Sequence, residues 1–374
     1  MRTLAEIDFL QSGASHETAP GANPTAIRSG CMTTKGLAGR PRPLVVTIYD
    51  VARDSGVSPA TVSRVFNGTG NVDEALAARV RLAASLLGYT PNGAARALRR
   101  QRTSLWAVIV ADVENPFFTS VVRGVEDAAV KANHRVVLCN SDENLEKEAA
   151  YIDVVVNEKM AGVVIAVAST ASSNLRPLID HGIPTVAVDR RPANADVGLA
   201  SVDNRLGGEL ATRHLFESGF RRIGCITGPA RVDTANDRVA GYRRALRSLR
   251  AERSSGWVQH ADFREAGGYA AARSLLELDS RPDALVIANS PMTIGALVAI
   301  RELGLRIPED VAIVGFDDSP WATVVQPSLT VVTQPAYELG SAASAMLTGA
   351  EPSTAQVTLR PSLVVRDSSV RARH

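Results

Sequence analysis

In the C-terminal three quarters of this 374-residue chain, polar and aromatic residues follow one apolar run after another. ENPFF after WAVIVADV supplies Asn115, Phe117 and Phe118, and SDEN after RVVLCN supplies Asp142. Asp189 and Arg190 follow TVAV, Asn289 follows ALVIA, and Phe316 and Asp317 close VAIVGFD. Carboxylate, amide and guanidinium groups each bond neighbouring hydroxyls, and aromatic faces cover the C–H faces of a ring. That combination suits a sugar. Taken singly, a loop Asp or Asn serves equally as a helix cap and a Phe as core. The recurrence after successive runs is what points to a pocket, because ligands of open α/β sheets bind outside the carboxyl ends of the strands. Catalysis is not indicated. The chain has no GxGxxG after a strand, no GxxxxGK[ST], no HExxH and no GxSxG, and its six histidines lack metal spacing. Neither cofactor nor metal is expected, and the protein reads as a binder rather than an enzyme.

A second chemistry lies nearer the N-terminus, in TIYDVARDSGVSPATVSRVFNG. Thr47 can cap a helix with Asp50 as the reciprocal acid, and Gly56 can end it. Ser58 can cap a second helix with Pro59 in its first turn, and Val62 and Val65 then share the buried face. A short helix, a glycine turn and a second helix with a free face make a helix-turn-helix. Pro59, Ala60, Ser63, Arg64 and Asn67 lie on that free face, where Ser63, Arg64 and Asn67 can donate to base edges or phosphates, and Thr47 and Tyr49 can hold phosphate. A third helix starts at Asp73 and ends at Gly88, with Leu76, Val80, Ala83, Ala84 and Leu87 as its buried stripe. Charge agrees with a DNA partner. Residues 35–102 carry 11 basic and 4 acidic side chains, whereas residues 103–374 carry 28 and 32.

The elements that must position these residues follow from periodicity. From Leu105 onward short β-rich runs alternate with helical stretches, which argues for parallel, doubly wound sheets, and about 270 residues of this pattern exceed one core. The fold expected is α/β: an N-terminal all-α helix-turn-helix headpiece, then two doubly wound parallel-sheet lobes. Residues 1–44 are rich in Gly, Ser, Thr, Ala and Pro and read as a disordered extension, with Met32 as an alternative start. No apolar run reaches a membrane span, Glu6 and Asp8 stand where an export signal would be apolar, and Cys31, Cys139 and Cys225 form no disulfide framework. A cytoplasmic protein without membrane contact is expected. Between headpiece and body, PNGAARALRR has a helical start at Pro91 but is too short to be stable alone, and Gly93 weakens it further.

The run from Val46 to Asn67, continued by VDEALAARVRLAASLLGYTPNGAARAL, resembles the headpiece of LacI/GalR-type transcriptional repressors. The likeness extends to about Val370, where NPFF, VDRR, SVDNRLGG, ANDRVAGY, ADF, VGFDD and VVTQP resemble the two-lobed, type I periplasmic sugar-binding fold, and its ribose-type members in particular. The resemblance implies a headpiece at 45–90, a hinge helix and linker at 91–102, and an effector and dimerisation domain at 103–370. Its first lobe would take about 104–203 and 335–350, its second about 204–334 and 355–370. It implies base contact by the second helix, a further contact by Asn71, and a hinge helix carrying Ala95, Leu98 and Arg99 that pairs with its twin on the minor groove, Leu98 acting as a wedge. It adds Arg238, Phe263 and Gln334 to the pocket. The partners implied are double-stranded DNA with a pseudo-palindromic operator, a second copy of the chain in a homodimer, and a small sugar, ribose or a related pentose first. A sugar receptor without a DNA role, and a regulator answering to a nucleoside or another non-sugar, are the alternatives. Two positions depart from the pattern: Asn289-Ser290 stands where relatives read Asn-Asp, and Gly219-Phe220 where they read Gly-His.

Overall fold

The computed structural model describes residues 46–68, 70–89, 103–252, 255–351 and 353–370. The expected N-terminal extension and the hinge segment with Ala95, Leu98 and Arg99 lie outside the described residues. The chain divides into two units, Met1–Pro91 and Asn92–His374.

In the first unit, local signals set the helix ends. The Asp50 carboxylate accepts from the backbone N–H and the hydroxyl of Thr47 at 2.9 and 2.7 Å, opening α1 (Ile48–Ser55). Ser58 accepts from Thr61 N–H to open α2 (Pro59–Asn67), and Asp73 accepts from Leu76 N–H to open α3 (Glu74–Leu87). Gly56, Gly68 and Gly88 close them at φ near +65°, where a Cβ would be strained. Val51, Ala52, Val62, Val80, Ala83 and Ala84 form the core, with Val65, Phe66, Leu87 and Tyr89 packed on it.

The second unit holds two sheets built by the same repeat. The first alternates β1 (Leu105–Val110), α4 (Pro116–Lys131), β2 (Arg135–Asn140), α5 (Leu145–Asn157), β3 (Gly162–Ile165), α6 (Arg176–Asp180), β4 (Thr185–Val188) and β5 (Gly198–Val202). The second begins with α7 (Asn204–Glu217) and alternates β6 (Ile223–Thr227), α8 (Asp233–Ser248), β7 (Val258–His260), α9 (Glu265–Leu276), β8 (Ala284–Ile287), α10 (Ser290–Glu302), β9 (Ala312–Phe316) and β10 (Thr330–Thr333). The chain then returns to the first lobe through α11 (Ala336–Leu347) and β11 (Gln356–Leu359), and ends in the second with β12 (Ser362–Val364).

The strand orders are β11-β5-β4-β3-β1-β2 and β12-β10-β9-β8-β6-β7. Parallel pairing of β1 with both β2 and β3, and of β6 with both β7 and β8, puts the carboxyl ends of each set along one edge and the order reversal at β1 and β6. Apolar residues alternate between the two faces. Trp106, Val108 and Val110 pack with α4 and α11, whereas Ala107 and Ile109 pack with α5 and α6. Cys139 and Cys225 are buried free thiols.

Two expectations need correction. Residues from 355 were assigned to the second lobe, but β11 pairs in parallel with β5, and Val357 and Leu359 pack against the first core; the chain crosses only at 360–361. The sheets are also not wholly parallel, since β12 runs antiparallel to β10. An edge strand that follows its neighbour sheet's last strand directly has no crossover helix to reverse it. Phe220, where a His was the family expectation, is fully buried among Leu215, Ile223 and Tyr242.

Helices α7 and α8 meet at backbone distance. A Cβ at Gly208 would fall on the Arg238 carbonyl, and one at Gly241 on the Arg205 carbonyl. Only glycine permits this approach, and it fixes the helix that carries Arg238. We expect Gly208→Ala to cost about 1–3 kcal/mol of stability by forcing the helices apart. Urea denaturation would measure the loss, and an unchanged midpoint would contradict the close-packing role.

Candidate functional site

The carboxyl ends of the two sheets converge on a narrow cavity of about 30 Å³. From the first lobe it takes Asp112, Asn115, Phe117 and Phe118 after β1, Glu143 after β2, and Asp189 and Arg190 after β4. From the second it takes Thr234 and Arg238 on α8, Phe263 after β7, Asn289 after β8, Asp317 after β9 and Gln334 after β10. Ten of the twelve pocket residues expected from the sequence line it. The other two stand behind the wall. Asp142 accepts from Lys147 and Arg264, and Phe316 lies under the Arg238 guanidinium at 4.5 Å.

Asn115 and Asn289 do two jobs. Asn115 Oδ1 accepts from Phe117 N–H and caps α4, and Asn289 Oδ1 accepts from Met292 N–H and caps α10. Capping holds each amide at the cavity wall. The Phe117 and Phe118 rings meet edge to face at 5.1 Å, and Phe263 supplies an apolar wall from the other lobe.

The charged groups form two buried clusters. Arg190 donates through Nη1 and Nη2 to both oxygens of Glu143 at 2.7 and 2.6 Å, and through Nη1 to Val167 O at 3.1 Å. Arg238 donates through Nε to Asn204 at 2.7 Å, through Nη2 to Gln334 at 3.2 Å and through Nη1 to the Ala288 carbonyl. Gln334 in turn donates to Asp317 at 2.6 Å. Two polar atoms here have no hydrogen-bond partner: Asp189 Oδ1 and Arg190 Nε, the latter ion-paired with Asp189 Oδ2 at 3.5 Å. An unsatisfied buried carboxylate oxygen and N–H cost free energy unless a ligand meets them. Burial pushes the Asp189 carboxyl up to about 6 despite Arg190 and Arg238 nearby. It raises Asp317 as well, with Arg238 and Gln334 opposing it. Burial also works against the Arg190 charge, but the Glu143 bonds outweigh it and keep the guanidinium protonated.

Five non-glycine residues around the site adopt left-handed backbone: Asp142, Glu143, Asp189, Phe263 and Asp317, with φ between 56 and 71°. Such residues cost about 1–3 kcal/mol each and persist where function holds them. The lobes are tied across the cleft as well. Arg264, next to Phe263, reaches Asp142 and Asp112, the latter at 3.3 Å, and Arg191 N–H donates to Asp233 at 3.1 Å.

Asp112, Glu143 and Thr234 were missed in the sequence. Thr234 sits one helical turn before Arg238, a spacing that puts both on one face and was a usable signal. Glu143 had no such signal: which of two adjacent carboxylates faces the pocket depends on the left-handed turn that carries them.

In the first unit, Tyr49, Ala60, Arg64, Asn67 and Asn71 are exposed, as is Thr47, while Pro59 and Ser63 are half-buried. Asn67 donates to Ser63 at 3.1 Å, so these two side chains stand side by side on the outer face of α2. The Thr47 hydroxyl donates to Asp50, leaving its lone pairs for other donors. No described helix is long and apolar enough to cross a membrane, and no described cluster of His, Cys, Asp or Glu could hold a metal.

Comparison with known proteins covers both units. The model of bacterial regulatory proteins of the lacI family matches residues 47–92, and that of a periplasmic binding protein-like domain matches residues 212–369. The HTH-type transcriptional repressor PurR of Edwardsiella ictaluri (strain 93-146) is 34% identical over 330 residues, spanning 87% of this chain and 97% of its own. The ribose operon repressor of Escherichia coli (strain K12) is 34% identical over 300 residues, spanning 80% and 91%. A solved complex of the transcriptional regulator CelR with cellobiose is 32% identical with a TM-score of 0.66, covering 86% of this chain and 99% of that one. With a helix-turn-helix whose outer face is free and a two-lobed body closing on a polar pocket, the chain belongs to the lacI family and is a DNA-binding transcriptional repressor with a periplasmic-binding-protein-like effector domain, not an enzyme.

Proposed function

We propose that the effector is an uncharged pentose, ribose or a closely related polyol, held between the two lobes. The observation that carries this reading is the pair of buried atoms without a hydrogen-bond partner, Asp189 Oδ1 and Arg190 Nε, beside three phenyl rings. One accepts and one donates, which is what a pair of neighbouring hydroxyls satisfies. The cavity is narrow, about 30 Å³, so the lobes must part to admit a ligand, and a monosaccharide asks less of that opening than a disaccharide. Relatives named for ribose, purines and cellobiose leave the choice to the pocket. Phenyl walls also suit a nucleoside, which is the second reading.

In this reading the repressor acts in the cytoplasm as a homodimer on a pseudo-palindromic operator. Thr47, Tyr49, Pro59, Ala60, Ser63, Arg64, Asn67 and Asn71 meet DNA, and Ala95, Leu98 and Arg99 meet the minor groove. The sugar bridges lobes already tied by Arg264, and the closed state sets how the two linkers leave the body. Sugar and operator are then linked by one coupling free energy.

A gel-shift assay on the promoter of a neighbouring gene tests the whole. We expect retardation that ribose changes in proportion to occupancy. Retardation that no pentose alters, but a nucleoside does, favours the second reading. Leu98→Ala should weaken retardation without changing sugar affinity by calorimetry; full operator affinity contradicts the wedge. Sugar hydroxyls donate to ionised Asp189, whose carboxyl titrates near pH 6 in the empty protein. Protonation therefore competes with the sugar: affinity should be level above that pH and fall by up to about tenfold per unit below it. Calorimetry between pH 7.5 and 5 would read this, and a flat profile would remove Asp189 from the contact.

A further inference from the structure

Glu143 lines two spaces at once. It forms part of the closed pocket, and it also borders an outer cleft of about 400 Å³, lined further by Glu146, Ser169, Ser172 and Arg231. Its backbone is fixed from both sides: Glu143 N–H donates to Ala111 O, and Asn144 N–H to Ser141 O. Both residues of the Asp142–Glu143 turn are left-handed, so the two carboxylates diverge, Asp142 to Arg264 in the other lobe and Glu143 to Arg190.

The bidentate bond to Glu143 takes the end of the Arg190 guanidinium, its Nη1 and Nη2, and Val167 O takes the second Nη1 hydrogen. What remains without a hydrogen bond is the side edge, Nε–H, which faces Asp189 Oδ2 at 3.5 Å, and one Nη2–H. Glu143 thereby also neutralises the cation that would otherwise recognise an anion. The pocket lining carries four carboxylates, Asp112, Glu143, Asp189 and Asp317, against two guanidiniums, Arg190 and Arg238, with Arg264 behind the wall pairing with Asp112. Like charges brought together in a buried site raise the free energy steeply.

We infer that Glu143 is a specificity-determining charge gate: it admits the uncharged sugar and rejects its phosphorylated or acid form by holding the anion-binding end of Arg190 from the side of the outer cleft. The inference rests on the pentose reading above. It makes Glu143 a positioning residue that acts through Arg190, and it assigns the rejection to charge rather than size.

Calorimetry with D-ribose, D-ribose 5-phosphate and 5-O-methyl-D-ribose separates these causes in the wild-type protein. We expect ribose and its methyl ether to bind within about tenfold of each other, and the phosphate at least a hundredfold more weakly. Equal rejection of ether and phosphate overturns the gate, because bulk alone then explains it. In Glu143→Gln, which keeps size and one acceptor but removes the charge, the ratio of ribose to ribose 5-phosphate affinity should shrink at least tenfold, and Glu143→Asp should restore it. An unchanged ratio in a folded Glu143→Gln protein overturns the gate, and the wild-type series decides alone if that variant does not fold. Absence of any pentose binding overturns the pentose reading, and the gate with it, whereas pentose binding with unchanged discrimination overturns the gate only.

Discussion

Charge buried at the ends of parallel strands governs this structure. Asp189, Arg190, Arg238 and Asp317 are each less than a tenth exposed, at a place where an isolated ion would be prohibitively costly. Three have partners from other loops: Glu143 for Arg190, Asn204, the Ala288 carbonyl and Gln334 for Arg238, Gln334 for Asp317; Asp189 has only the ion pair with its neighbour Arg190. The pairing is incomplete at only two atoms, and those two describe what the pocket is built to receive. A fully paired cluster would be a structural core; an unpaired one would not stay folded. The site lies between, and a ligand would complete it.

That balance depends on backbone that local preference would not choose. Left-handed turns at Asp142–Glu143, Asp189, Phe263 and Asp317 aim side chains inward from strands that otherwise run straight past the cavity. The rigid cores beneath them supply the compensation. Each sheet is covered on both faces, and the helices meet at glycines such as Gly208 and Gly241, so loops cannot relax without moving a packed layer.

The same loops join recognition to movement. Phe263 walls the pocket and its neighbour Arg264 spans the cleft; Glu143 holds Arg190 and its neighbour Asp142 receives Arg264. The pocket wall and the bonds across the cleft therefore share two dipeptides, one in each lobe. Three crossings of the chain, near 203, 334 and 360, link the lobes, so a change in closure alters the geometry of the whole body.

Much of this was legible in the residues alone. Thr47, Ser58, Asp73 and the three closing glycines fix the headpiece helices through bonds within a few residues, which sequence displays directly. Alternation of β-rich and helical runs gives two doubly wound lobes, and the rule that ligands sit at carboxyl ends finds Asn115, Asp189, Arg190, Asn289 and Asp317. Tertiary structure decided what depends on distant partners. It placed β11 in the first sheet, because Val357 and Leu359 complete that core. It turned Phe316 under Arg238 and Asp142 toward Arg264, and it brought Glu143 to Arg190 across 47 residues. Sequence shows which groups can bond; only the fold decides which of them have already been paired, and the atoms left over are what a ligand meets.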